Sequence, residues 1–480
     1  MTTPSRRWLP GAAIALLALA ATITSIGNDF TYDDKPIVFE NTRVHSMWNI
    51  ARLFVETYWP QQYGGDGYRP LVTTLFTLQW TASGGAPWLF HLVNIILAMA
   101  TAVAVYWCAR AVLPQVGAWV AAALFAVHPV HVEVTGNVVG QSELIVALCL
   151  ALAMGLYLRR RMTGALAGRD VASVGGLFAI ALFTKEHAIV LPALIIVAEL
   201  TVLPAASWRD RLRAARLLML ALTLIAVAYL FVRGLIQKDL TGFMPYPIFR
   251  FLRMSVVDRI GTMMNEIPRI AQLLVFPLRL SADYSPNDVT VADGPSLSQL
   301  PGVFICVGVV TLTAVLRKRA PVASFGLLWL MISFLPVSNL IVPAGFVTAE
   351  RTLFFPSIGV VLVAGAFAEH VRAHATPSRR RFAVAALGLL LTGWLVRSVD
   401  RQRVWKDNDA FFDALMKDAP NGYRAHYLHA RHIGQKGRLS EMEREYRRAI
   451  RIFPYDAGMT LAVADAYTRA GLCPPAISLF

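Results

Sequence analysis

Apolar residues gather into runs long enough to cross a bilayer of about 30 Å, near 8–26, 88–110, 114–130, 140–158, 170–184, 187–204, 214–233, 299–316, 321–341, 353–369 and 382–397. Polar residues are confined to the stretches between them. The pattern predicts an all-α, polytopic membrane protein with about eleven spans. One segment, Ile267 to Leu280, is apolar but broken by Pro268 and Pro277 and carries Arg269 and Arg279. It reads as an interfacial or re-entrant segment rather than a crossing. The first run, Trp8 to Ile26, is long enough to span and lacks a small-x-small cleavage site, so it reads as a retained helix rather than a signal peptide.

After Arg397 the pattern turns polar, which sets two expected domains, a membrane domain over 1–398 and a soluble helical domain over 399–480. Within the second, Pro420 and Pro454, Gly437 and Gly471, and the series Phe412, Tyr446 and Phe480 all recur at a spacing of 34 residues. That is the period of a tetratricopeptide helix-turn-helix unit, with Tyr446 and Ala449 where its second helix packs on its first.

Composition fits the lipid reading: 56% of residues are hydrophobic and 16% charged. The net charge of +15 does not indicate a nucleic-acid partner, because the basic residues fall in clusters between apolar runs rather than on one face. Arg6-Arg7, Arg110, Arg159-Arg160-Arg161 with Arg169, Arg209 through Arg216, Arg317-Lys318-Arg319, and Arg372 with Arg379-Arg380-Arg381 all share one side if the N-terminus is cytoplasmic. Eleven crossings then place the C-terminal domain outside, periplasmic in a bacterial inner membrane. The four cysteines show no zinc spacing and imply no disulfide framework.

The candidate chemistry lies in the outer loops. Asp33-Asp34 follows the first span, where a carboxylate could take the proton of an acceptor hydroxyl as a glycosidic bond forms. A solvated turn or a helix N-cap before Pro36 would explain the pair equally well, and the pair could also recruit a divalent cation, although no metal is required. Arg69 precedes an apolar stretch too short to span, whose Phe76 and Trp80 read as membrane anchors. In His128-Pro129-Val130-His131-Val132-Glu133, Pro129 interrupts regular helix and no fourth ligand is apparent, so hydrogen bonding to a sugar or phosphate is expected rather than zinc binding. Glu143 opens the fourth span. Lys185 could neutralise a lipid phosphate that Glu186 orients, and Arg351 beside Glu350 offers a second, forked cation. Each has a plainer explanation as an ion pair at headgroup level.

Taken in order, the acidic pair, Tyr68-Arg69-Pro70-Leu71, Phe90-His91-Leu92-Val93-Asn94, the His128 to Glu133 string, Gly140-Gln141-Ser142-Glu143-Leu144, Lys185-Glu186, Leu280-Ser281-Ala282-Asp283-Tyr284-Ser285, and Glu350-Arg351 through Pro356-Ser357 resemble the transmembrane and tetratricopeptide-repeat-containing protein O-mannosyltransferases. The resemblance covers nearly the whole chain. It implies a GT-C fold and transfer of mannose from a polyprenyl-phosphate carrier, dolichyl in the family and undecaprenyl in a bacterial-type chain, to a protein or glycan hydroxyl. It also implies a catalytic carboxylate at Asp33 or Asp34, with Asp34 expected as the base and Asp33 in support. Lys185, Glu186, Glu350 and Arg351 would shape the donor pocket. The short repeat domain departs from the family's longer arrays, although a protein partner could still dock there. A membrane-anchored scaffold for envelope assembly is the competing class. Eleven crossings are excessive for an anchor, and a transporter would place charges in the middles of its spans.

Overall fold

The computed structural model describes residues 8–204, 207–238, 254–341, 344 and 346–477; Arg6-Arg7 and Phe480, used above for topology and repeat register, lie outside them. Among the described residues the regular structure is helical, apart from one isolated bridge between Pro286 and Val289. Several helices begin on proline, as at Pro70, Pro87 and Pro377, where the missing N–H costs nothing. The helix Pro70–Ser83 stops at Gly84, whose φ of 64° the backbone needs there.

Among the described residues six helices are long and apolar enough to cross a membrane: Leu9–Gly27, Pro87–Ala109, Val138–Thr163, Trp208–Gln237, Leu297–Arg319 and Pro377–Trp405. A seventh is possible if Gln115–Ala126 and Pro129–Gly136, bent by 49°, count as one broken span. The count by length and apolarity is thus six or seven against the eleven expected. The other four expected crossings are helical but short: Gly168–Thr184, Leu191–Thr201, Pro321–Phe334 and Ser357–His374. At 1.5 Å per residue the longest of these reaches about 27 Å, short of the hydrocarbon thickness of about 30 Å.

Residues before 239, with Val309–Phe334 and Leu353–Lys406, form one compact unit. Its centre is the helix Gln141–Thr163, which packs extensively on Pro87–Ala109 and on Gly168–Thr184. Small residues let backbones meet: a Cβ on Gly365 would lie 2.5 Å from the Gly117 carbonyl oxygen, and one on Gly359 would lie 2.3 Å from that of Gly326. Ser357–His374 is therefore clamped between two neighbours by backbone contact, as in helices packed within lipid. By contrast Pro377–Trp405 leaves Phe382, Val384, Leu389 and Val396 exposed, an apolar surface that suits hydrocarbon and not water.

This unit has two chemically distinct ends. Glu143, in the first turn of Gln141–Thr163, pairs with Lys185 at the end of Gly168–Thr184. At the other end of the same helices Arg160 pairs with Asp170, and Arg161 and Arg211 both reach Glu199. The basic clusters around Arg160, Arg169 and Arg211 thus meet at one end, away from Glu143 and Lys185.

A second unit comprises the described residues from 254 to Gly308, Leu335–Thr352 and those from Asp407 onward. The expected interfacial segment lies here within one helix, Val256–Val275, with Pro268 inside it. That helix buries Thr262, Met263, Glu266, Ile270 and Leu273 on one face while Val256, Val257, Val275 and the following Phe276 stay exposed. Among the C-terminal helices, Ala457–Arg469 begins 34 residues after Tyr423–Gln435, and Cys473–Ile477 begins 34 after Leu439–Ile452. Gly437 and Gly471 occupy matching turns with φ of 77° and 72°.

Candidate active site

The first outer loop is pinned as soon as it leaves its helix. Asp29 N donates to Lys406 O at 2.8 Å, and Thr31 Oγ1 to Trp405 O at 3.2 Å. Tyr32 then adopts a left-handed φ of 52°, uncommon for a residue with a side chain, and turns the chain sharply into the acidic pair. Asp34 precedes the helical turn Lys35–Phe39 but makes no side-chain cap to it. Its carboxylate reaches across the unit instead. Oδ1 accepts Val139 N at 2.9 Å, and Oδ2 accepts Val138 N at 3.2 Å and Thr31 N at 3.1 Å. Asp34 is wholly buried and Asp33 only partly. Burial lifts the Asp34 pKa from 3.8 to about 7, against the pull of the three backbone amides.

The turn that Asp34 grips is itself rigid. Asn94 Nδ2 donates to Asn137 O at 2.8 Å, and Gln79 and Gln141 exchange side-chain hydrogen bonds of 2.8 and 2.9 Å. Gln141 also donates to Phe90 O at 3.2 Å. A Cβ on Gly140 would sit 1.9 Å from Val134 O, so only glycine fits that approach. Asn94 and Gln141 lie in the quoted strings, and their work is to hold this turn.

Beside these elements runs a partly buried chain of charges. Arg69 forks onto Glu186, Nε to Oε2 at 3.1 Å and Nη2 to Oε1 at 2.8 Å. Lys185 Nζ lies 2.6 Å from Glu143 Oε1, and His187 Nε2 lies 3.3 Å from Glu143 Oε2. Lys185 and Glu186 thus each pair with a distant partner rather than with each other. Burial opposes ionisation of Glu186, but Arg69 holds its carboxyl well below the ordinary range. Burial likewise works against the Arg69 charge, and Glu186 more than offsets it. Lys185 is lowered, chiefly by burial, despite Glu143.

Tyr58, not singled out from the sequence, joins the two groups. Its ring lies 4.7 Å from the Arg69 guanidinium, and burial pushes its hydroxyl well above the ordinary tyrosine range, with the charges of Arg69, Asp33 and Asp34 acting on it. An isolated tyrosine in a loop gives no signal of this.

The histidine string goes elsewhere. His131 Nε2 lies 2.9 Å from Ser357 Oγ, between the rings of Phe125 and Phe354, and His128 packs on Trp394 with ring centroids 4.3 Å apart. The crevice they line holds about 20 Å³, room for a water and not for a hexose. Glu133 is buried in the short helix that follows. Phe76 and Trp80 are not membrane anchors: Phe76 is fully buried, and Trp80 stacks on His45 with centroids 3.6 Å apart.

In the second unit Glu350 Oε1 accepts Ser281 N at 2.6 Å and Tyr284 OH at 2.7 Å, fixing the Leu280 to Ser285 string. Arg351 lies over the Phe346 ring at 5.7 Å and acts on Asp283, which pairs with Arg424 at 3.2 Å.

Among the described residues no group of three or more His, Cys, Asp or Glu is arranged to hold a metal ion. The acidic pair fits a divalent cation poorly, because both oxygens of Asp34 already face N–H groups whose positive ends would oppose one.

No family model matches the chain. Human protein O-mannosyl-transferase TMTC1 is 26% identical to it over 95% of this chain and 57% of its own length. Human TMTC4 is 26% identical over 90% and 65%, and the Caenorhabditis elegans protein O-mannosyl-transferase F38B6.6 is 23% identical over 91% and 62%. The chain spans about three fifths of the length of these curated relatives. Among solved structures, the oligosaccharyltransferase AglB of Archaeoglobus fulgidus covers 86% of this chain, and the match covers 58% of AglB, at 13% identity and a TM-score of 0.49. ArnT from Cupriavidus metallidurans covers 99%, with 74% of its own chain matched, at 14% identity and a TM-score of 0.44. Over at least 90% of its length in each of these curated comparisons, the chain is similar to protein O-mannosyl-transferases, the family its ordered motifs resemble.

Proposed function

We propose that the chain is a membrane glycosyltransferase that moves a mannose-type sugar from a polyprenyl phosphate to a hydroxyl of a protein or glycan at the outer face. The observation that carries this reading is the gathering of the acidic pair and the Arg69, Glu186, Lys185, Glu143 charge chain at one end of a unit whose Arg160, Arg161 and Arg211 meet at the other. In this reading the N-terminus is cytoplasmic, and the helices after Asp407 form a short tetratricopeptide-like array outside.

The mechanism is a single displacement. The acceptor oxygen attacks the anomeric carbon, its proton passes to a carboxylate, and the bond to the carrier phosphate breaks with its electron pair on phosphate. We assign the base to Asp33, the partly exposed member of the pair, and give Asp34 the task of positioning it. Lys185 and Arg69 receive the phosphate charge. Both are already paired with carboxylates, so the ground state keeps them buried without net charge, and the donor phosphate competes with Glu143 and Glu186 for them. Glu350 fixes the Ser281 to Tyr284 turn, and Arg351 contributes to the donor pocket by its motif match.

The test is reconstitution of the purified chain in liposomes with radiolabelled polyprenyl-phosphate sugars and a peptide acceptor. Asp33→Asn should abolish transfer while leaving the protein folded. Undiminished transfer by Asp33→Asn would overturn the base, and no transfer across a broad donor panel would favour the scaffold.

A further inference from the structure

The second unit carries a charged groove that none of this chemistry uses. The helix Leu439–Ile452 turns Met442, Tyr446 and Ala449 inward. Its outer face presents Arg444, Arg448 and Arg451, spaced by four and three residues and all exposed. They line an open groove of about 710 Å³ together with Asn287, Glu445 and Ile452. Local basicity of the segment does not explain the stripe, since residues 407–480 hold 10 Lys and Arg against 9 Asp and Glu. Arg447, on the neighbouring flank, is neutralised by Glu443 at 2.8 Å. Arg444 has only distant carboxylates, Glu445 at 3.8 Å and Glu441 at 3.9 Å, and Glu445 is taken up by His426 at 2.6 Å. Among the described residues no carboxylate lies in ion-pair range of Arg448 or Arg451.

We propose that this groove binds an acidic, extended polypeptide segment, a flank of the protein that receives the sugar. The spacing suits such a chain. Arg444 to Arg451 covers about 10 Å of helix axis, and an extended peptide places alternate side chains about 7 Å apart on one face. Two carboxylates at i and i+2 therefore reach neighbouring guanidinium forks, which pair with carboxylates in a planar, two-bond geometry. Ile452 offers an apolar contact between them. Asn287, from a separate segment of the chain, borders the arginines, so the groove is lined from two segments.

The inference rests on the protein-acceptor reading above, and the test separates the two. Labelled peptides with alternating Glu, and matched peptides with Gln, are titrated into the full chain in nanodiscs by fluorescence anisotropy. The acidic peptide should bind at least about tenfold more tightly than the Gln peptide, with affinity falling as salt rises. The double variant Arg448→Gln, Arg451→Gln should lose that preference, whereas Arg447→Gln should keep it. Transfer to a short neutral acceptor should be the same in all three. Equal affinity for the two peptides, or an equal loss in Arg447→Gln, overturns the proposal. So does capture of phosphatidylglycerol vesicles, abolished by the double variant, in place of peptide. Peptide binding without any transfer overturns the enzyme reading alone.

Discussion

The sharpest consequence of the structure is that two adjacent aspartates should fail in different ways. Asp34→Ala removes the acceptor of three buried amides, those of Thr31, Val138 and Val139. Val139 N keeps a second acceptor, Asn137 Oδ1 at 3.1 Å, so two donors are left without one. An orphaned buried donor costs about 1–3 kcal/mol, so the variant should lose about 2–6 kcal/mol of stability. Asp33→Ala leaves those three amides paired and should cost less than Asp34→Ala. The assay is thermal unfolding of the purified chain in detergent, followed by tryptophan fluorescence, alongside transfer from a labelled donor. Asp34→Ala should lower the unfolding midpoint markedly and expose the Val138 and Val139 amides to hydrogen exchange. Asp33→Asn should hold the wild-type midpoint and transfer nothing. If both variants unfold at the wild-type temperature, the three-amide anchor contributes no stability and the division of labour is wrong. If Asp33→Asn transfers normally while a well-folded Asp34→Asn does not, the base is Asp34.

Other expectations follow from single contacts. Arg69→Ala removes the forked partner of Glu186, a carboxylate that is only partly buried, and should destabilise by about 1–3 kcal/mol, with Arg69→Ala, Glu186→Ala together costing less than Arg69→Ala alone; a double-mutant cycle in chemical denaturant checks this. Gly365→Leu drives a side chain into the Gly117 carbonyl and should abolish a folded, monodisperse product in size-exclusion chromatography, while Gly388→Leu, with nothing within 4 Å, should not. Glu266 is raised from 4.5 to about 7, mainly by burial. Between those values the folded chain binds the proton and the unfolded chain does not, so its contribution is full below pH 4.5 and is lost as pH rises through about 7. Glu266→Gln should remove that part of the decline in unfolding midpoint between pH 5 and about 8, and an identical slope in wild type and variant would refute it.

Hydropathy made the helical membrane architecture legible, because a run of about 20 apolar residues admits few other solutions. Span number was less legible. Residues 353–369 are apolar enough to suggest a crossing, and Ser357–His374 packs closely through Gly359 and Gly365, but at 18 residues it is shorter than the six long apolar helices among the described residues. The aromatic stretch after Arg69 misled for a related reason: a short amphipathic helix looks alike whether its rings meet lipid or, as with Trp80 and His45, each other. Of the site, Lys185, Glu186 and Arg69 were visible as charges in apolar surroundings, whereas their pairing was not. Arg69 meets Glu186 across 117 positions and Lys185 meets Glu143 across 42, separations that no local pattern encodes.

The same limit bears on the acidic pair, for which the roles proposed here reverse those expected from the sequence. From the sequence, Asp33 and Asp34 differ only by one position, and nothing local tells the two carboxylates apart. Position in the fold separates them. Tyr32 holds a left-handed φ that turns the chain just before them, and that turn sends Asp34 into the protein and leaves Asp33 toward solvent. A base must gain and lose a proton at each turnover. For Asp34, each change of charge would weaken or strengthen three backbone bonds that tie the first loop to the Val138–Gly140 turn, coupling catalysis to movement of its own support. Asp33, partly exposed, does not hold these three amides, so in the proposed roles its neighbour keeps the loop in register. The elevated pKa of Asp34 is, on this argument, a by-product of burial in an anchoring role rather than a mark of the reacting group.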